Sequence, residues 1–168
     1  MGTGRGKRWV VTVLAGLALA AVFGLGISWM MFSLWGDLEE VAPAAAEAAF
    51  DDAVRQAGGG TPYLEVDDAG RVTVHRELER AEPTRLSTMH VLAWQPRAGR
   101  LLTVDLPFWF VRVKMTESIN LGTLTTALAG DWQQLDLQVA ERDLERRGPG
   151  LVMDHRRSDG ARLLVWTE

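Results

Sequence analysis

Leu86-Ser87-Thr88-Met89-His90-Val91-Leu92-Ala93-Trp94, then Gln95-Pro96-Arg97-Ala98-Gly99, then Leu101-Leu102-Thr103-Val104-Asp105-Leu106 is the stretch on which the fold turns. Two apolar runs of strand length flank five residues in which Pro and Gly supply turn chemistry, so the segment reads as a β-hairpin. Outward from it the same pattern recurs on both sides. Tyr63-Leu64-Glu65-Val66 and Arg71-Val72-Thr73-Val74-His75 alternate around the turn Asp67-Asp68-Ala69-Gly70. Gly150 to His155 pairs with Ala161 to Trp166 across Ser158-Asp159-Gly160.

The connections are less regular. Glu77 to Arg85 is charged and interrupted by Pro83, which makes it a loop. Pro107 punctuates the central hairpin. Phe108 to Met115 is ambiguous, its β-branched and aromatic content favouring a strand with Arg112 and Lys114 on one face. A short helix is expected within Gly122 to Asp131, a strand over Leu135 to Val139, and a short helix over Ala140 to Arg147 closed by Gly148. Three hairpins with short helices add up to an α+β domain with a small antiparallel sheet, over residues 61–168.

Ahead of that domain, Pro43 to Ala57 reads as a helix. Proline costs nothing in a first turn, alanine is the best helix former, and Phe50 and Val54 share a face with Ala46, Ala53 and Ala57. Gly58-Gly59-Gly60 ends it. Residues 37–60 are then either a membrane-proximal helix with a Gly-rich joint, or a helix that packs on the domain surface.

From Trp9 to Gly36 the chain runs 28 residues without a charged side chain. About 20 apolar residues span a bilayer, so residues 9–36 are expected to be a transmembrane helix. Arg5, Lys7 and Arg8 make residues 1–8 a basic tail, whereas Asp37-Leu38-Glu39-Glu40 on the other flank is acidic. This asymmetry places the N-terminus in the cytoplasm and the rest outside. Trp9, Trp29 and Trp35 stand near the ends of the run, where interfacial rings belong. The competing expectation is a cleaved signal peptide, with Ala42-Pro43-Ala44 or Ala44-Ala45-Ala46 as the cleavage site. A signal peptide's apolar region is only about 7–15 residues long, which favours the uncleaved anchor. Within the run, Thr12, Gly16, Ala20, Gly24 and Ser28 recur every fourth residue and would let a second helix pack closely. A run rich in small residues also produces such a stripe by chance.

All 22 acidic residues and 15 of the 18 basic ones lie from Asp37 onward, a net charge of −7 against −4 for the whole chain. That balance argues against nucleic acid and against anionic lipid surfaces as partners. The chain has no cysteine, which removes disulfides, thiol catalysis and thiolate metal sites together. Its arginine-rich, lysine-poor, Ala- and Gly-rich composition suggests a high-GC bacterial coding sequence, and so the bacterial inner membrane.

Catalytic patterns are sparse. Leu86-Ser87-Thr88-Met89 resembles the Ser-x-Met element of type I signal peptidases, and Lys114 is the sole lysine beyond the anchor. A Ser/Lys hydrolase would use them as nucleophile and base. However, His90-Val91 replaces the Pro-Thr of that element, and the spacing from Ser87 to Lys114 is short for the family. His75, His90 and His155 lack metal-ligand spacing, and Asp154-His155 has no nucleophile with it. There is no phosphate-binding glycine loop, zinc-protease helix or nucleophile elbow. No cofactor and no metal is called for. The remaining unusual feature is Leu106-Pro107-Phe108-Trp109-Phe110-Val111, either an exposed aromatic ridge for a partner or membrane surface, or core.

The second half of the chain resembles a group of bacterial single-span membrane proteins to which no activity is assigned. The resemblance runs through His90 to Trp94, Gly99-Arg100-Leu101, Asp105 to Trp109, Asp143 to Gly150, Asp154-His155 and Val165 to Glu168. It implies an N-terminal span with a small C-terminal α+β domain, and no catalytic residues. The expectation is therefore a membrane-anchored extracytoplasmic interaction or accessory protein. Its contact surfaces would be Phe108, Trp109 and Phe110 outside the membrane, and Gly16, Ala20, Gly24 and Ser28 within it. Its partners would be the bilayer together with a second copy or another membrane protein. A lipid- or ligand-sensing module and the Ser/Lys hydrolase are the alternatives.

Overall fold

The computed structural model describes residues 36–67, 71–114, 119–120 and 138–168. Residues 9–35 of the expected span, the Gly16, Ala20, Gly24 and Ser28 stripe, the helix expected within Gly122 to Asp131 and most of Leu135 to Val139 lie outside the described residues. Among the described residues no helix is long and apolar enough to cross a membrane.

The central hairpin forms as its sequence predicts. β4 (Thr88–Gln95) and β5 (Arg100–Pro107) pair antiparallel from Met89↔Leu106 to Trp94↔Leu101, through a turn that needs Gly99 at φ 61°. The other two hairpins join it in one seven-stranded sheet. β9 (Arg162–Thr167) pairs with the free side of β4, and β8 (Gly150–Arg156) with β9, through an irregularity between Leu151 and Met153. β2 (Leu64–Val66) and β3 (Val72–Val74) form the far edge, and with β1 (Gly36–Glu40) at the other edge the order is β1-β5-β4-β9-β8-β2-β3.

Two features correct the expected antiparallel sheet. β2 lies parallel to β8, with Leu64 opposite Met153, so the sheet is mixed. A parallel pair needs a long connection, and most of the domain lies between these two strands. The second feature is β1 (Gly36–Glu40), which pairs along β5 from Gly36↔Val104 to Glu40↔Arg100. An exposed edge strand buries no apolar stripe, and charged side chains protect it from pairing with other chains. The acidic flank of the apolar run is therefore also a sheet edge.

α1 (Pro43–Gln56) lies on one face of this sheet. Ala46, Phe50, Ala53 and Ala57 are buried against Leu92, Trp94, Leu101, Leu151, Leu164 and Trp166. The alanines let the helix approach closely while Phe50, 1% exposed, fills the space between strands. Of the two positions open to this helix, it occupies the packed one and belongs to the same compact unit as the sheet.

The segment after Pro107 is helical. α2 spans Phe108–Lys114, in place of the strand that its β-branched and aromatic content favours. Its buried residues Phe108 and Val111 stand three apart, the spacing of one helix face, so burial overrides the β-branched content. β6 (Ile119–Asn120) and β7 (Gln138–Val139) form a separate two-stranded ladder. α3 (Glu141–Arg147) follows as expected and ends on Gly148 at φ 76°.

Candidate functional site

The three residues of the expected ridge point different ways. Phe108 is fully buried, Trp109 is 57% exposed, and Phe110 is partly buried. The Trp109 and Phe110 rings meet edge to face with centroids 6.0 Å apart. The helix under them is fixed from two sides. Phe108 and Val111 enter the core, while the Arg112 guanidinium donates to Glu141 at 2.5 Å and to Glu145, tying α2 to α3. Arg112 also lies 5.7 Å from the Phe108 ring centroid. The hydrogen bonds to Glu141 and then Glu145 hold the Arg112 proton more tightly than usual. The result is a large apolar side chain presented on a pre-ordered support.

The histidines do not gather. On β4, His90 Nδ1 is 2.6 Å from Asp105 Oδ1, its Nε2 is 3.7 Å from Glu168 Oε2, and its ring stacks on Trp166 at 4.7 Å. His75 lies between Glu77 at 2.8 Å from Nδ1 and Glu65 at 3.2 Å from Nε2. Hydrogen bonds to Glu77 and then Glu65 raise its pKa above the ordinary value. These carboxylates serve opposite ring nitrogens, so one ion on His75 could not be held by both. His155 is nearly buried on β8. Among the described residues no cluster of histidines and carboxylates could hold a metal ion.

The other sequence candidates have local structural roles. The Ser87 hydroxyl and backbone N–H donate to the Glu168 carbonyl at 3.0 and 2.6 Å, fastening the start of β4 to the end of β9. The Lys114 side chain lies outside the described set. Asp154 is a bidentate acceptor for Arg162, at 2.9 and 2.7 Å, rather than half of a dyad with its neighbour. Arg162 in turn lies 4.6 Å from the Phe50 ring centroid, and Glu47 of α1 accepts from Arg162 and Arg156 at 3.4 and 2.9 Å. No spacing in the sequence announces this network, because the register of β8 on β9 and the seating of α1 assemble it.

Two further features complete the surface. Tyr63, fully buried, donates to Glu79 at 2.7 Å, and burial together with that carboxylate holds its proton above the usual range. Between the β4–β5 and β8–β9 turns lies a cleft of about 240 Å³, lined by Gln95, Pro96, Arg97, Arg157, Asp159 and Ala161 among others, with no aromatic residue. No family model matches the chain, and no curated protein or solved structure does either.

Proposed function

We propose that this chain is a membrane-anchored extracytoplasmic interaction or accessory protein, acting through protein–protein contacts centred on Trp109 and Phe110. The observation that carries the reading is Trp109, 57% exposed on a helix whose neighbours Phe108 and Val111 are buried. An aromatic residue on a rigid support is a low-entropy anchor for a partner, and such residues dominate binding energy where they occur. The anchor rests on the uncharged run Trp9–Gly36, and the orientation on the basic and acidic flanks. The bacterial inner membrane is the corresponding location.

The test is a photo-crosslinking amino acid placed at position 109 of the full chain in native membranes, with the same substitution at exposed Arg71 as control. A discrete adduct at 109, absent at 71, is expected. Adducts of equal yield at both positions, or none at 109, overturn the assignment. Trp109→Ala should cost the fold about 0.5–1.5 kcal/mol, the worth of its edge-to-face contact with Phe110.

A further inference from the structure

At the junction of α3 and β8, two arginines lie against the backbone of Gly148-Pro149-Gly150. A Cβ on Gly148 would stand 3.2 Å from the Arg80 Cζ and Nη1, and one on Gly150 only 3.0 Å from the Arg147 Nη2. Both glycines also hold positive φ, 76° and 140°, so neither the backbone conformation nor the guanidinium contact admits a side chain easily. Arg80 reaches the junction because its loop runs along the end of α3. The Arg80 N–H donates to the Arg146 carbonyl at 2.8 Å, and the Thr84 N–H to the Glu145 carbonyl at 2.7 Å.

The pair brings two guanidinium charges to one stretch of backbone in an acidic domain. Arg55, Arg71, Arg112, Arg156 and Arg162 each hold a carboxylate. Among the described residues no carboxylate pairs with Arg80 or Arg147. The Arg80 side chain donates to Thr84 Oγ1 at 3.5 Å, and among the described residues the buried Arg147 Nε has no hydrogen-bond partner. Burial and the neighbouring Arg80 charge both weaken the hold of Arg147 on its proton. Two adjacent cations, one of them partly desolvated, cost free energy that a bound anion would recover.

We infer that Arg80 and Arg147, seated on the Gly148 to Gly150 backbone, form a binding site for a phosphate group. A dianionic phosphate matches two guanidiniums in charge and offers oxygens to both, whereas one carboxylate would neutralise only one. Free inorganic phosphate and the phosphate of a lipid headgroup share this chemistry.

The test titrates the full-length protein with inorganic phosphate at constant ionic strength, following its thermal midpoint, with acetate as the monoanion control. At a tenfold excess over Kd the midpoint should rise by about 4 °C. Arg80→Gln and Arg147→Gln should each weaken phosphate binding at least tenfold. Arg80 is exposed, so its replacement reports on binding even if Arg147→Gln fails to fold. A response equal to that in acetate, or one retained in Arg80→Gln, overturns the proposal. Glycerol 1-phosphate separates the sources. Binding tighter than inorganic phosphate identifies a lipid headgroup, and weaker binding identifies the free ion; both support the site.

Discussion

Replacing Phe50 with alanine tests whether α1 is part of the domain or an attached stalk. Phe50 is 1% exposed, surrounded by the α1 alanines and the sheet residues Leu92, Trp94, Leu164 and Trp166, with Arg162 over its ring at 4.6 Å. Removing a buried phenylalanine side chain costs about 3–5 kcal/mol, the higher end applying where neighbours cannot collapse into the space. Here the neighbours are strands fixed by their ladders, so collapse is limited. Loss of the cation–π contact adds about 1 kcal/mol, because the Arg162 side chain is only 11% exposed. The expected total is about 4–6 kcal/mol. With a urea slope of about 2 kcal/mol/M, the unfolding midpoint falls by about 2–3 M. The assay is urea unfolding of the full chain followed by tryptophan fluorescence, since Trp94 and Trp166 lie in the same cluster. Ala48→Ser, on the exposed face of α1, is the control and should shift stability by less than about 0.5 kcal/mol. A loss below about 1 kcal/mol for Phe50→Ala would refute the packing argument.

Asp154→Asn removes the charged half of a bidentate pair and leaves Arg162 with Glu47 alone, so urea unfolding should show a loss of about 2 kcal/mol. Glu47→Gln should cost less, because Glu47 is half exposed. His75, whose pKa is raised in the fold by Glu77 and Glu65, should titrate by NMR above 6.5 and fall toward it in Glu77→Gln. Its stabilising contribution is complete below 6.5 and is lost as pH rises through the raised value. If the stripe within residues 9–36 packs two helices, Gly16→Ile with Gly24→Ile should convert a crosslinkable dimer to monomer in membranes, with the unfolding midpoint of the sheet domain unchanged.

The parts of this fold that were legible from sequence share a physical property: their pattern is local. Each hairpin announces itself through two apolar runs and a turn whose residues have a conformational reason to be there, and α1 through alanine content and the spacing of Phe50 from Ala46 and Ala53. The parts that were not legible depend on what a segment meets. Gly36 to Glu40 has no apolar alternation because four of its five residues are exposed, yet the open edge of β5 makes it a strand. Phe108 to Lys114 carries strand-forming residues, but the core receives Phe108 and Val111 on one side, and only a helix presents them so. The candidate sites follow the same rule more severely. Whether Trp109 or Phe108 faces solvent is a matter of helix rotation, which content alone does not determine. Arg80 and Arg147 stand far apart in sequence, and only the bonds that lay the Arg80 loop along α3 bring both to one glycine-lined backbone. A domain can therefore be recognisable in its strands while its binding chemistry stays invisible, since strands follow neighbouring residues and sites follow the contacts that close the fold.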